Sequence, residues 1–188
     1  MITLVRPHVR FHRSYLEAHD EFAGAARDGD GLWEEPADGR GYEGIHFLRD
    51  EMETPSGFAR FVSWRLANAL EESPRTDGHV PATFFWITDD EQPGTYLGSA
   101  SVRHRLTPFL LDVGGHIGYS VRPSARRRGV ATEALRLVLP EAAALGIDPA
   151  LVTCDVDNIG SAKVIEANGG VLEDVRGAKK RYWVPTRA

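Results

Sequence analysis

The stretch Gly114–Ala131 reads GGHIGYSVRPSARRRGVA, and the rest of the chain is best read outward from it. His116–Val121 has the character of a strand and stops before Pro123, which cannot donate to a sheet ladder. Beyond a basic loop, Ala131, Ala134, Leu135, Val138, Leu139 and Ala142 recur at helical spacing, so a helix is expected from about Gly129 to Leu145. A strand, a short basic loop and a helix start bring three effects to one place. The first N–H groups of a helix have no partner within it, and the helix dipole favours an anion there. Gly129 and Ala131 are small enough for a ligand to approach the main chain closely. Arg126, Arg127 and Arg128 add fixed positive charge. A diphosphate is the expected ligand of this turn; the alternative is a solvated basic loop that only joins strand to helix.

The flanking sequence supplies the remaining elements. Residues 2–6 end at Pro7 and read as an edge strand. Apolar residues from Phe11 to Ala26 recur at roughly helical spacing. Residues 28–44 hold five glycines and one proline and read as a long loop. Thr54 is suited to cap, and Pro55 to begin, a helix whose stripe is Phe58, Phe61, Val62, Leu66, Ala69 and Leu70. Ala82–Thr88 and a segment from Thr95 to about Arg105 read as strands joined by a turn. Pro140 falls inside the helix after Gly129 and predicts a kink or restart, because it has no N–H for the Arg136 carbonyl. Leu151–Val156 reads as a buried strand, and Ser161–Ala167 as a short helix closed by Asn168-Gly169-Gly170. Val171–Val175 and Arg181–Val184 read as the last strands. The expected fold class is α/β, an α+β mixed sheet in the order β-α-α-β-β-β-α-β-α-β-β. No repeat or linker divides residues 1–188, so a single domain is expected.

These residues resemble a known family. Arg126-Arg127-Arg128-Gly129-Val130-Ala131 matches the Arg/Gln-x-x-Gly-x-Gly/Ala acetyl-CoA signature of the GNAT superfamily of N-acetyltransferases. The helix after it, the strand 151–156, and Asn158-Ile159-Gly160-Ser161 opening a helix that ends at Gly169-Gly170 resemble the second half of the GNAT core. His116–Pro123 is similar to a bacterial subgroup of predicted acetyltransferases without an assigned substrate. The resemblance implies a sheet splayed beside the strand 116–121, with the backbone of Tyr119, Ser120 and Val121 pairing with pantetheine. It implies that Arg126, Arg127, Arg128, Gly129, Val130 and Ala131 hold the pyrophosphate, and that Asn158 and Ser161 contact the cofactor further along. Asn158 equally suits a helix cap. Residues 1–105 then form the acceptor-side half and 106–188 the acetyl-CoA-binding core.

Acetyl transfer requires a neutral amine, a donor for the oxyanion and a proton for the departing thiolate. Relatives commonly supply that proton from a tyrosine about seven residues after the motif asparagine, a position held here by Ile165. His116 and Tyr182 are therefore the catalytic candidates, with Tyr119 and His104 as further substitutes. No metal is expected, because His8, His12 and His19 form no carboxylate-supported helix motif. A Gly-x-Ser-x-Gly elbow and a Walker loop are both absent, and Cys154 reads as packing within a strand.

The bulk numbers fit this reading. Hydrophobic residues make up 42% and charged residues 26%, as in ordinary globular proteins. One cysteine, no leader-like start and no apolar run of about 18 residues set a cytoplasmic expectation, with no membrane or nucleic-acid partner and a homodimer left open. Net charge is −5, divided as −9 over residues 1–100 and +4 over residues 101–188. An acidic acceptor side suits a cationic small-molecule amine drawn by Glu34, Glu35, Asp38 and Glu43. The competing functions are a non-catalytic acyl-CoA sensor and a protein or peptide N-acetyltransferase.

Overall fold

A computed structural model describes residues 1–31, 33–37, 39 and 42–187. Strand β1 (Ile2–Val5) lies at one sheet edge, and helix α1 (His12–Phe22) follows a 3-10 turn. Two-residue strands β2 (Glu34–Glu35) and β3 (Ile45–His46) pair within the glycine-rich segment, which sequence alone renders as plain loop. Helix α2 (Arg49–Glu53) was likewise not foreseen, being too short to show periodicity. Helix α3 (Pro55–Ala67) starts as expected, with Thr54 Oγ1 accepting from Gly57 N at 3.0 Å. A Cβ on Gly57 would lie 2.0 Å from Glu51 O, so glycine lets α2 and α3 meet.

Strands β4 (Ala82–Asp89) and β5 (Gly98–Arg103) form the next hairpin. β5 begins later than expected because the Tyr96 amide bonds Ser14 Oγ of α1 instead of a strand. A π-helical turn at Leu110–Gly114 precedes β6 (Ile117–Val121). Helix α4 (Val130–Ala144) runs through Pro140 without a restart. One missing bond is tolerated because the buried residues Leu139 and Ala142, on either side of Pro140, keep that turn packed on the sheet. β7 (Ala150–Asp155), α5 (Ile159–Ala167), β8 (Val171–Arg176) and β9 (Lys179–Val184) complete the chain.

The seven main strands form one mixed sheet in the order β1-β4-β5-β6-β7-β9-β8. Setting aside the small hairpin and α2, the sequential order is the expected one. On one face α4 and α5 place Leu135, Val138, Leu139 and Ile165 against Ala100, Val102, Ile117 and Val152. On the other, the 3-10 turn, α1 and α3 bring Phe11, Tyr15, Phe58 and Phe61 onto Trp86 and Tyr96. β4 is buried on both faces, with Phe85 toward the first layer and Trp86 toward the second. Among the described residues no helix is long and apolar enough to cross a membrane.

The feature that positions the site is the junction of β6 and β7. They are parallel neighbours with a single registered pair, Ile117↔Val152. Beyond that pair the strands part, while β6 stays fully paired with β5 on its other side.

Candidate active site

Arg122 N–H bonds Leu97 O on the β5 side, so by the alternation of a strand the amides of Tyr119 and Val121 face the gap. After β6 the chain makes a 3-10 turn and passes through Arg127 at φ 61° and Gly129 at φ 77°. Both values are left-handed, a conformation glycine adopts freely and arginine does not. Gly129 caps α4 with no side-chain bond, which leaves the first amides of the helix open. The turn is braced from outside. Arg122 ion-pairs with Glu21 of α1, and Ser124 N donates to Glu21 Oε2 at 3.1 Å. The Arg122 bond holds the Glu21 carboxyl down at about 2.

The open edge and the turn border a cavity of about 520 Å³. Tyr119, Ser120 and Val121 line it from the strand, and Arg126, Arg127, Gly129, Val130 and Ala131 from the turn. Asn158 and Ser161 close it from α5; Arg128 is exposed and is not in its wall. Ser120 Oγ is buried there without a hydrogen-bond partner among the described residues, an orphan suited to a bound polar group. The open edge, uncapped helix start and orphan hydroxyl fit a CoA thioester. Arg126 is partly engaged, since its Nε donates to Val121 O at 3.0 Å. Asn158 does cap α5, accepting from Ser161 N at 3.0 Å.

Tyr119 Oη lies 2.7 Å from Ser161 Oγ, and burial pushes the phenol well above its ordinary pKa. Ile165 is fully buried in the core one helical turn after Ser161, so α5 offers no phenol there. His116 is outside the cavity wall. Its Nδ1 accepts from Leu151 N at 2.9 Å, and burial with help from Arg103 pushes the imidazole down to about 4. Tyr182 also lies outside the wall, its hydroxyl on Glu166 Oε1 at 3.1 Å and its pKa pushed up to about 12 by burial. His104 bonds Thr83 Oγ1 at 2.9 Å, and Cys154 is a buried free thiol in the wall.

A second cavity of about 570 Å³ opens on the side of residues 1–105, and a third of about 200 Å³ borders both it and the first. Tyr119, Thr153 and Ser161 are shared by the first and third; Arg103, Phe109 and Leu110 by the second and third. Asp28 lines all of them. The loop bearing it is locked in place. A Cβ on Gly29 would lie 2.4 Å from Gly118 O, so that loop rests directly on β6. Next to it, fully buried Asp30 accepts from Tyr15 Oη at 2.8 Å and Ser99 Oγ at 3.0 Å and pairs with Arg27 at 3.1 Å. Sequence reasoning missed Asp28 and Arg103; the only hint for Asp28 was its glycine-rich surroundings.

Of the carboxylates expected to draw an amine, Glu34 and Glu43 are exposed outside these walls, and Asp38 lies outside the described residues. Glu35 is in the second wall but bonds Tyr42 Oη at 2.9 Å and pairs with His79 at 3.6 Å, raising the imidazole pKa.

Comparison with known proteins agrees with this geometry. The family model described as an acetyltransferase (GNAT) domain matches residues 48–171. No curated protein matches the chain in sequence. Among solved structures, Mycobacterium smegmatis RimJ in complex with CoA-disulfide is similar at 19% identity and TM-score 0.59, over 98% of this chain and 80% of that one. The microcin C7 self-immunity acetyltransferase MccE, in complex with acetyl-CoA and AMP, is similar at 15% identity and TM-score 0.57, over 98% and 92%. A Salmonella typhimurium acetyltransferase that modifies the N-terminal serine of ribosomal protein L7/L12 is similar at 16% identity and TM-score 0.56, over 98% and 94%.

Proposed function

Because the chain belongs to the GNAT acetyltransferases and takes acetyl-CoA as acyl donor, we propose that it acetylates the primary amine of a small molecule entering from the cavity on the side of residues 1–105. The observation that carries this reading is the adjacency of the cavities, which share Asp28 and, two by two, Tyr119 and Arg103 between the open β6 edge and the second chamber. At about 570 Å³ that chamber is the size of an ordinary small-molecule site.

When bound, acetyl-CoA supplies the activated acetyl group. In this reading the Tyr119 and Val121 amides, the orphan Ser120 hydroxyl and the start of α4 hold the thioester and its phosphates. The incoming amine forms the C–N bond as the C–S bond breaks, and its surplus proton leaves to solvent through the open chamber. Tyr119 keeps its proton at neutral pH and stands between the acyl and acceptor cavities. It is the donor to the departing thiolate, with Ser161 orienting its hydroxyl, and it regains a proton from solvent before the next turnover. The earlier candidates His116 and Tyr182 take structural roles, one bridging β6 to β7 and the other tying β9 to Glu166 of α5.

A peptide amine is the second reading, favoured by the ribosomal-protein acetyltransferase among the structural neighbours. A thiol-release assay over free amines and unblocked peptides separates the two. Turnover of small amines is expected, release with peptides alone assigns the second, and tight acetyl-CoA binding with no release under any acceptor assigns a sensor. Tyr119→Phe should lower kcat roughly tenfold or more while leaving acetyl-CoA affinity within about threefold, since it removes only a proton donor. Wild-type kcat in that variant excludes Tyr119 as the acid.

A further inference from the structure

The walls of the second chamber do not have the charge that the acidic first half of the chain suggests. Arg27, Arg65, Arg75 and Arg103 line it against Asp28, Glu35 and Asp77. Arg27 is answered by Asp30, and Glu35 is spent on Tyr42 and His79. Arg75 and Arg103 are different. Arg75 donates to the main-chain oxygens of Glu71 and Leu70, and Arg103 to those of Gly114 and Gly115. Among the described residues neither has a carboxylate within ion-pair distance. Both line the same chamber, with His79 as a third basic group in its walls.

Arg103 is largely withdrawn from water, and that burial pulls its pKa down against the opposing field of Asp28. A desolvated guanidinium whose hydrogen bonds go only to neutral carbonyls is a costly arrangement that a bound oxyanion relieves. Arg103 also lines the narrow passage toward Tyr119, where Asp28 is the carboxylate in reach of an ammonium. Along this route Asp28 lines all three cavities, Arg103 and Lys179 line the passage, and Arg75 lines only the second chamber.

Resting on the acetyltransferase reading, we propose that the acceptor is a primary amine that also carries a carboxylate or phosphate. Its ammonium lies at Asp28, and its oxyanion lies between Arg103 and Arg75. Acceptors of this class are amino acids and amino-alkyl phosphates; purely cationic amines meet the Arg75 and Arg103 guanidiniums in the same chamber.

Matched acceptors test this: γ-aminobutyrate against butylamine, and O-phosphoethanolamine against ethanolamine, followed by thiol release with acetyl-CoA. The acid-bearing member of at least one pair should win by tenfold or more in kcat/KM. Arg75→Gln and Arg103→Lys should each shrink that ratio at least fivefold, chiefly through KM; the second keeps the charge but loses the planar fork. The carboxylate and phosphate arms tell which oxyanion is preferred. Members without the acid group that equal or outdo their partners, or a ratio unchanged in both variants, overturn the proposal. Calorimetry of the same amines with the CoA-loaded protein gives the preference without turnover. Acid preference in binding but no thiol release with any acceptor thus overturns the acetyltransferase reading, whereas release without acid preference overturns this one.

Discussion

His116 shows how a side chain chosen for its chemistry can be claimed by the backbone. Histidine on a strand beside the expected cofactor edge suggested a catalytic group, but its Nδ1 is occupied by the Leu151 amide. That bond requires the neutral ring, and the folded pKa of about 4 lies below the ordinary 6.5. Between those values the unfolded chain takes up a proton that the native ring refuses. Stability due to this residue is therefore complete above about pH 6.5, falls as pH drops toward 4, and levels off below; the loss approaches about 3 kcal/mol. His116→Asn keeps an acceptor in place of Nδ1 but cannot titrate. Thermal unfolding from pH 7 to pH 4 should show a shallower decline in that variant, and equal slopes would refute the account. The place of Tyr119, Ser161 and Asn158 in the wall of the first cavity was legible in the sequence because they sit within or beside the family's motifs. Asp28 and Arg103 were not, because their importance arises only when a distant loop is laid across β6 and a strand end meets the π-helical turn.

The strand–turn–helix unit is the element the sequence defined best, and the structure adds the reason Gly129 is needed. A Cβ there would touch nothing within 4 Å, so crowding within the protein does not select glycine. Its φ of 77° does, together with the room a ligand needs above the open amides. Gly129→Val places a β-branched residue in a left-handed conformation, costing at least about 1 kcal/mol before any ligand is bound. Acetyl-CoA affinity should fall at least about tenfold, some 1.4 kcal/mol, in calorimetry of the folded variant. Unchanged affinity would remove the turn from the binding site. Other elements escaped the sequence for physical reasons. α2 and the β2–β3 hairpin are shorter than the period that betrays them, and a single proline proved too weak to break the well-packed α4.

At the scale of the molecule, periodicity gave the order of elements but not the order of strands, which depends on pairings between distant segments. Charge by halves was similarly incomplete. The first hundred residues carry −9, yet the chamber they wall is rich in arginine, because many of their carboxylates face solvent. The parting of β6 and β7 has a consequence for cooperativity. Two antiparallel blocks, β1-β4-β5-β6 and β7-β9-β8, share one registered pair, so the sheet is nearly cut in two along a line that α4 and α5 span from one side. In the proposed binding mode a thioester arm lying in that cut would act as an eighth strand lent by the substrate, bridging the two blocks. Hydrogen exchange should read this directly. The gap-facing amides of Tyr119 and Val121 should exchange quickly alone and slow by an order of magnitude or more with acetyl-CoA, while those of β4 and β5 change little. At a hundredfold excess over Kd the ligand adds about 2.7 kcal/mol of stability. Protection spread evenly over the sheet would instead mean that the two blocks already open and close as one.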